Sequence, residues 1–306
     1  MPVIIPERLP ATDILRNENI FIMHEARAKS QDIRPLNIAI VNLMPTKIET
    51  ETQLLRLIGN TPLQINIDLI HMSTHDSKHA SKSHLDSFYK SFNDIKNTTY
   101  DGMIITGAPV ETMPFNKVDY WDELTQVLDF AKSNVYSCLF ICWGAQAALY
   151  YYYGIDKIPL NKKMFGVFEH QVINRKPIVR GFDDVFFAPH SRHTGWDMDT
   201  LKSLDSIEIV SLSADAGAYI LISHDNRLIF VSGHSEYDPY VLQNEYLRDM
   251  SLGLDINIPY NYFPNDNPNL PPMVKWRSHA NLLFSNWLNY HVYQETPFKI
   301  ECLKSI

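Results

Sequence analysis

The sequence predicts an α/β fold: a doubly wound, mostly parallel sheet with helices on both faces. From Leu36 onward, short apolar runs of strand length alternate with segments of helical period, which is typical of parallel sheets. The 306 residues are 45% hydrophobic, which is enough for a large buried core. No internal repeat or flexible linker interrupts the alternation. Residues 35–306 are therefore predicted to form one domain, preceded by an irregular, charged arm over residues 1–34.

The predicted elements follow the chain in a regular order. The first strand, residues 37–42, leads into a helix over residues 47–58, whose apolar positions recur at helical spacing until Gly59 stops it. Further strands are predicted over residues 64–70, 102–106, 135–141, 185–188, 207–212, 218–222 and 228–231. Further helices are predicted over residues 119–132, 144–153, 239–250 and 276–293. Residues 256–272 are rich in Asn, Asp and Pro and are predicted to form a long loop.

Composition and charge exclude several classes of partner. With a net charge of -8 and no run of Lys or Arg, the chain lacks the basic face that nucleic acid requires. The N-terminus has neither the basic start nor the apolar stretch of a signal peptide. The apolar segment 135–153 approaches the length of a membrane span, but a buried strand followed by a packed helix explains it better. The chain has three cysteines, Cys138, Cys142 and Cys302, and so small and odd a number is not typical of a disulfide framework. They favour a reducing compartment, so the protein is predicted to be cytoplasmic, with no nucleic-acid or membrane partner.

Cys142 lies at a junction between a predicted strand and a predicted helix. In open parallel sheets, ligands bind where strands end and helices begin. This position puts the sulfur at a helix N-terminus, where the helix dipole and the free N–H groups favour a thiolate. The backbone N–H of Trp143 would point toward an oxyanion, as in a nucleophile elbow. On this motif alone, a buried structural cysteine remains the default interpretation.

A second junction supplies a base for that thiol. The predicted strand 228–231 runs into a turn that contains His234 and Glu236. A thiol nucleophile needs a base to take its proton and a further group to orient the base. His234 and Glu236 can supply both functions. The two junctions together favour a cysteine-nucleophile site over a structural cysteine at position 142.

Other histidines raise the question of a metal site. His71, His75, His79 and His84 lie close together in the sequence, and a spacing of four residues can align imidazoles on one face of a helix. The intervening Ser, Thr, Asp and Lys residues are typical of a loop, and no fourth ligand is evident. No metal site is therefore predicted. A Gly-rich phosphate loop is also absent from the sequence.

Long motifs occur from one end of the chain to the other, at residues 42–47, 106–109, 142–149, 153–155, 180–184, 188–192, 233–238, 259–264 and 276–279. The Cys turn and the His-x-Glu turn by themselves resemble class I glutamine amidotransferases. The whole set resembles the homoserine O-acyltransferases of methionine biosynthesis, a family whose fold is similar to that of the amidotransferases. This resemblance covers about the whole chain, and so many long motifs make it specific. It implies a class I glutamine amidotransferase-like sheet.

The resemblance implies an activity and a set of roles. Acyl-CoA would donate its acyl group to the hydroxyl of L-homoserine by a ping-pong route, the first committed step of methionine biosynthesis. Cys142 would carry the acyl group as a thioester, His234 would accept the proton, and Glu236 would be its partner. Coenzyme A thioester is thus a co-substrate, and no bound cofactor is expected. The family similarity also suggests a homodimer.

The resemblance also implies which residues bind homoserine. They are Lys163, Ser191 and Arg248. An Arg suits the α-carboxylate because its planar fork binds carboxylate in a bidentate way. Without the resemblance, Lys163 would be a solvated charge in a polar loop, Ser191 a turn residue, and Arg248 part of a surface ion pair.

Glu111 bears on the choice of acyl donor. It follows the predicted strand 102–106 and is expected at the same sheet edge as Cys142. In the family, Gly at this position goes with succinyl transfer and Glu with acetyl transfer. A carboxylate there would repel the terminal carboxylate of a succinyl group and fill its space. Acetyl-CoA is therefore the expected donor, and succinyl-CoA is the alternative.

Two further function classes stay open at this stage. One is a glutaminase-type hydrolase, and the other is a binding module that has lost catalysis. Phe140 stands where amidotransferases usually have Gly before the nucleophile turn, which disfavours glutamine hydrolysis. A binding module would not need Cys142, His234 and Glu236 together.

Overall fold

The computed structural model describes residues 3–5, 9–17, 22–24, 34–75 and 81–297. Its strands are β1 (Val3–Ile5), β2 (Ile22–His24), β3 (Leu36–Val41), β4 (Ile65–Ile70), β5 (Tyr89–Lys90), β6 (Tyr100–Ile105), β7 (Val135–Ile141), β8 (Ile158–Val172), β9 (Val185–Gly195), β10 (Ile207–Ser213), β11 (Gly217–Ser223) and β12 (Leu228–Val231). Its α-helices are α1 (Ala11–Asn17), α2 (Lys47–Ile58), α3 (Lys82–Phe88), α4 (Phe92–Ile95), α5 (Trp121–Asn134), α6 (Trp143–Tyr153), α7 (Met198–Lys202), α8 (Val241–Ser251) and α9 (Arg277–Asn286). Short 3₁₀ turns cover Phe115–Lys117, Pro177–Val179 and Pro264–Asp266, and a π-helix, Trp287–Tyr293, follows α9.

The strands form one sheet across the described residues. Its order is β2-β1-β4-β3-β6-β7-β12-β11-β10-β8-β9, and β5 pairs with β4. Neighbours from β2 to β12 are parallel. Neighbours from β12 to β9 are antiparallel. The sheet is therefore mostly parallel, as the sequence predicts, and an antiparallel extension follows β12.

Both faces of the parallel part are buried. Alternate residues of a strand point to opposite faces of its sheet. Ile38 and Ile40 of β3 pack in the hydrophobic cluster that contains α2, α9 and the π-helix. Ala39 and Val41 pack in the cluster that contains α5 and α6. All four side chains are fully buried, so helices cover both faces of the sheet and the prediction of a doubly wound fold is confirmed.

The apolar segment 135–153 divides at Cys142 into strand β7 and helix α6. This matches the predicted strand followed by a packed helix. Within the ranges that the structure describes, none of the helices combines the length and the apolarity needed to cross a membrane.

Strand β8 is the main element that sequence reasoning missed. Lys163 was expected in a polar loop, but it lies in β8, whose register with β9 runs from Ile158↔Gly195 to Gln171↔Val185. The polar run at residues 161–163 and the exposed first half of β8 hide the alternation of a strand. Its stability depends on pairing with β9, which also extends past the predicted end at residue 188.

The prediction of irregular structure over residues 1–34 is wrong for β1, α1 and β2. β1 and β2 pair in parallel with each other, and β1 continues the sheet at β4. Helix α1 buries Ala11 and Leu15 against the cluster of α2. Elements of three to seven residues are too short to show a hydrophobic period. The boundary between an arm and a domain at residue 34 stays a prediction, and Cys302 lies outside the described residues.

Candidate active site

Cys142 occupies a strained turn between β7 and α6. Its φ of 49° and ψ of -115° lie outside the regions that non-glycine residues usually adopt. Its N–H donates to the Val231 carbonyl at 2.7 Å, and its carbonyl accepts from the Gln146 N–H at 3.1 Å. Hydrogen bonds on both sides therefore fix the turn. The geometry is that of a nucleophile elbow, with the backbone N–H of Trp143 in the first, unpaired turn of the helix.

Two glycines allow this turn to close against the neighbouring strand. A Cβ atom on Gly144 would lie 2.6 Å from the Thr106 carbonyl oxygen, so α6 can begin there only with glycine. A Cβ atom on Gly107 would lie 3.3 Å from Cβ of Cys142 and 3.4 Å from Cε1 of His234. Gly107 thus leaves the space in which the thiol and the imidazole meet. Gly107 belongs to the motif at residues 106–109, but the sequence alone assigned it no role.

His234 reaches Cys142 because their strands are neighbours. β12 pairs in parallel with β7, with Val231 opposite Ile141, so the turns that follow both strands lie side by side. His234 Nδ1 is 2.6 Å from Glu236 Oε1, and the His234 N–H donates to the Pro189 carbonyl at 2.8 Å. We assign the Nδ1 proton to the bond with Glu236, which leaves Nε2 for proton exchange with Cys142.

The electrostatic surroundings favour the protonated form of His234. Burial is the largest effect on His234 and by itself lowers the pKa. The negative charges of Cys142 and Glu236 and their hydrogen bonds act in the opposite direction and raise the pKa of His234 well above its ordinary value. The ring of Tyr237 stacks on the imidazole at a centroid distance of 4.2 Å and holds its plane. A protonated imidazole stabilises a neighbouring thiolate, which is the nucleophilic form of a cysteine.

One cavity of about 530 Å³ contains most of the predicted site. Its wall includes Cys142, His234, Glu111, Lys163, Ser191 and Arg248. Glu236 lies behind His234 and lines a neighbouring cavity instead. The side chain of Trp143 is fully buried in the core, so only its backbone can serve the site. Apart from these two residues, the predicted side chains therefore open into one space.

A charged network fills one wall of the cavity. Lys163 Nζ lies 2.6 Å from Glu245 Oε1 and 3.1 Å from Asp249 Oδ2. Ser191 Oγ donates to the same Glu245 oxygen at 2.8 Å, and Arg248 Nη2 lies 2.6 Å from Asp249 Oδ1. Sequence reasoning missed both carboxylates. The available signal was their spacing of four residues on the predicted helix that also carries Arg248.

Packing of α8 against β8 brings this network together. Phe165 and Val167 of β8 form a small hydrophobic cluster with Leu242 and Tyr246 of α8. Lys163 Nζ also lies over the Phe165 ring, 4.3 Å from its centroid. The contact between helix and strand therefore determines the distance between Lys163 and the two carboxylates.

Glu111 faces the cavity from the loop after β6. Burial raises the pKa of its carboxyl group. A hydrogen bond from the backbone of His193 and the positive charges of His193, His234 and Arg192 oppose that rise. Glu111 is therefore near the reacting groups rather than in open solvent. His193, which also lines the cavity, was not identified from the sequence.

The histidines considered as metal ligands have separate partners. His75 Nδ1 lies 2.6 Å from Asp119 Oδ2, and His84 Nε2 lies 2.9 Å from Glu51 Oε1. His79 lies outside the described residues. In the part of the chain that the structure describes, no three His, Cys, Asp or Glu side chains converge as metal ligands would.

Comparisons with known proteins show the family of the chain. The sequence model of the family described as homoserine O-succinyltransferase matches residues 2–298. The chain is 57% identical over 305 residues to a homoserine O-acetyltransferase of Acetivibrio thermocellus, with 99% of this chain and 100% of the relative covered. It is 58% identical over 302 residues to a homoserine O-acetyltransferase of Petrotoga mobilis, with 98% of each chain covered.

A solved structure shows the same fold at low sequence identity. A glutamine amidotransferase from Thermotoga maritima aligns with a TM-score of 0.52 and 11% identity, covering 84% of this chain and 98% of that one. This likeness concerns the fold alone and confirms the amidotransferase-like sheet. The family match and the full-length relatives, together with that sheet, lead to one conclusion: the chain belongs to the homoserine O-succinyltransferase family.

Proposed function

We propose that the protein is a homoserine O-acetyltransferase, which moves the acetyl group of acetyl-CoA to the hydroxyl of L-homoserine through a thioester on Cys142. The observation that carries this proposal is the strained Cys142 turn beside the His234–Glu236 pair, in a cavity that also holds a charged network. Full-length relatives with this name support the choice of substrate. The enzyme would act in the cytoplasm, in methionine biosynthesis.

The first half-reaction acetylates the enzyme. The Cys142 thiolate attacks the thioester carbonyl of acetyl-CoA, and the Trp143 N–H donates to the oxyanion that forms. The tetrahedral intermediate then expels the thiolate of coenzyme A, which takes the proton of the His234 imidazolium. Cys142 is left as an acetyl thioester and His234 as a neutral base.

The second half-reaction returns the enzyme to its starting state. Neutral His234 takes the proton of the homoserine hydroxyl as its oxygen attacks the Cys142 thioester. Collapse of the second intermediate releases O-acetylhomoserine and regenerates the thiolate beside a protonated His234. Glu236 keeps Nδ1 protonated throughout, so that Nε2 serves in both directions.

Homoserine binding is attributed to the charged network. The substrate carries a carboxylate and an ammonium group, and the network offers both signs of charge. Arg248, whose side chain is 62% exposed, can turn its fork toward the carboxylate. Glu245 and Asp249 can accept hydrogen bonds from the ammonium group, and Lys163 and Ser191 hold Glu245 in place.

Intact mass spectrometry tests the central claim. Incubation with acetyl-CoA should increase the mass of the wild-type protein by one acetyl group, and homoserine should remove it. Cys142→Ala should show no adduct. Cys138→Ala is the matched control and should be acetylated normally, because Cys138 is fully buried and burial raises its pKa to about 12. An adduct on the Cys142→Ala protein would refute the proposal.

Two further measurements check the remaining parts of the proposal. His234→Ala should slow both half-reactions by roughly 10²- to 10⁴-fold, which is the usual effect of removing a positioned base. The melting temperature should change little, whereas a collapse of stability would make His234 structural. The homodimer suggested by the family similarity can be tested by light scattering after gel filtration.

A further inference from the structure

Arg192 is a buried cation whose contacts are all neutral. It lies in β9 and is 4% exposed. Nη1 donates to the Thr194 carbonyl at 2.7 Å, Nη2 donates to the Ala216 carbonyl, and Nε donates to His190 Nδ1 at 3.3 Å. None of the carboxylates among the described residues forms an ion pair with it. A buried charge without a compensating charge is strongly unfavourable, so its counter-charge must be found nearby.

The two histidines behind Arg192 contribute no charge. Because a guanidinium can only donate, His190 Nδ1 must accept and its proton must be on Nε2. That Nε2 lies 3.1 Å from His170 Nε2, and His170 Nδ1 lies 3.0 Å from the Phe168 carbonyl oxygen. One chain of donors therefore runs from Arg192 through both rings to the backbone. Burial lowers the pKa of His170 to about 3 and that of His190 well below its ordinary value, so both rings are neutral.

The negative charges that act on Arg192 belong to the reaction site. Burial lowers the pKa of Arg192, whereas the charges of Cys142 and Glu111 raise it. The strand is also tied to the start of α6. Thr194 Oγ1 donates to Gln146 Oε1 at 3.0 Å, and the Gln146 N–H donates to the Cys142 carbonyl. A Cβ atom on Gly233, the residue before His234, would lie 2.9 Å from Cε1 of His190, so the ring that accepts from Arg192 packs against the turn of the catalytic pair.

We propose that Arg192 is a positioning residue whose guanidinium balances the Cys142 thiolate and the Glu111 carboxylate, and that the neutral His190–His170 pair orients it. The inference rests on the proposed function, and it adds a residue that acts on both the nucleophile and the donor-selecting carboxylate. Two titratable groups act on Cys142 from the turn after β12, His234 and Tyr237. Its cavity is also lined by Glu49, Lys163, His193, Glu245, Arg248 and Asp249.

The test is the pH dependence of Cys142 alkylation by iodoacetamide, measured in a Cys138→Ala, Cys302→Ala background. Arg192→Gln should move the midpoint upward by about one to three pH units, the range for loss of a close opposite charge. Arg192→Lys keeps a charge but cannot make the three directed contacts, so its midpoint should rise by less. Arg175→Gln is the matched control, because Arg175 is 62% exposed, and its midpoint should stay at the wild-type value.

Each outcome decides for or against this role. An unchanged midpoint in folded Arg192→Gln overturns the proposal. If that variant does not fold, Arg192→Met, which also removes the charge, decides by the same criterion. Failure of both to fold would assign the guanidinium to support of the fold alone and would also overturn it. Alkylation requires no acyl donor, so a failure here is distinct from a wild-type protein that forms no acetyl adduct.

Discussion

At the scale of single residues, the space between Cys142 and His234 exists because the neighbouring residue 107 is a glycine. A Cβ atom on Gly107 would touch both, and the Cys142 turn is already in a conformation that costs free energy. The reactive pair therefore has little freedom to move away from an added atom. Small displacements matter here, because a shift of about 1 Å can cost about 10²-fold in rate.

Gly107→Ala should slow acetyl-enzyme formation, and Gly107→Val should slow it more, by about 10²-fold. The added Cβ would lie 3.3 Å from Cβ of Cys142 and 3.4 Å from Cε1 of His234, so alanine crowds the pair by a few tenths of an ångström and the branches of valine crowd it further. Stopped-flow detection of released coenzyme A measures the rate. Gly154→Ala is the control, because no atom lies within 4 Å of its added Cβ although its φ is 70°. It should lose stability and keep the rate, and equal rate losses in both variants would contradict the crowding argument.

A second residue-scale prediction concerns pH and stability. Lys47 is 8% exposed, and burial lowers its pKa from 10.5 to about 8, although Glu51 opposes this. Between those two values the unfolded chain binds a proton that the folded protein does not bind. The free energy of unfolding should therefore rise with pH across this window, by about 3 kcal/mol in total.

Urea denaturation in buffers on either side of the window measures the effect. Lys47→Met should abolish the Lys47 contribution to the rise, and Lys82→Met, which removes an exposed lysine, should keep it. A wild-type protein and a Lys47→Met variant with the same pH dependence would show that Lys47 titrates normally in the folded state.

At the scale of elements, helix α8 determines how homoserine is held. Its polar side presents Glu245, Arg248 and Asp249 to the cavity, and its apolar side packs on β8. The helix therefore couples the hydrophobic cluster to the charged network. Changes on its two sides should have different consequences, because only one side contacts the substrate in the proposed mechanism.

Arg248→Ala should raise the KM for homoserine more than tenfold and leave acetyl-enzyme formation close to wild type. The reason is that a lost charge-assisted hydrogen bond costs about 1.5 to 3 kcal/mol, and only the second half-reaction uses homoserine. Steady-state kinetics together with the coenzyme A burst separate the two steps. Leu247→Ala, at an exposed position of the same helix, should change neither. Equal damage to both half-reactions would refute the role given to Arg248.

At the scale of the whole molecule, the site is assembled at one edge of the sheet from distant parts of the chain. The turns after β6, β7 and β12 meet there because these three strands are neighbours in parallel register. The antiparallel extension contributes β8 and β9, which form the opposite wall through Lys163, Ser191 and His193. The choice of acyl donor is a property of this assembled cavity.

Wild-type protein should use acetyl-CoA, and Glu111→Gly should gain activity with succinyl-CoA. The substitution removes both the repulsion of the succinyl carboxylate and the volume that Glu111 occupies. The measurement is the ratio of kcat/KM for the two donors. Glu111→Asp keeps the charge and should keep the preference for acetyl-CoA. Wild-type preference for succinyl-CoA would overturn the donor assignment, and an unchanged ratio in Glu111→Gly would remove Glu111 as its cause.

The sequence by itself determined the parallel core and the positions of the reactive groups. The strands that end before Cys142 and His234 are predicted as observed, residues 135–141 and 228–231. Each consists of a continuous apolar run followed at once by a turn, and both features depend only on neighbouring residues. The adjacency of the two turns follows from the general rule that parallel strands end at a common sheet edge.

Only the tertiary structure decided the rest of the site. Strand β8 exists because β9 pairs with it, and the partnership of Lys163 with Glu245 and Asp249 exists because α8 packs on β8. The burial of Arg192 likewise depends on elements far from it in the chain. These contacts join residues about 20 to 90 positions apart, so the hydrophobic periodicity of a short sequence window does not reveal them. Local periodicity therefore located the chemistry, and long-range packing selected the side chains that surround it.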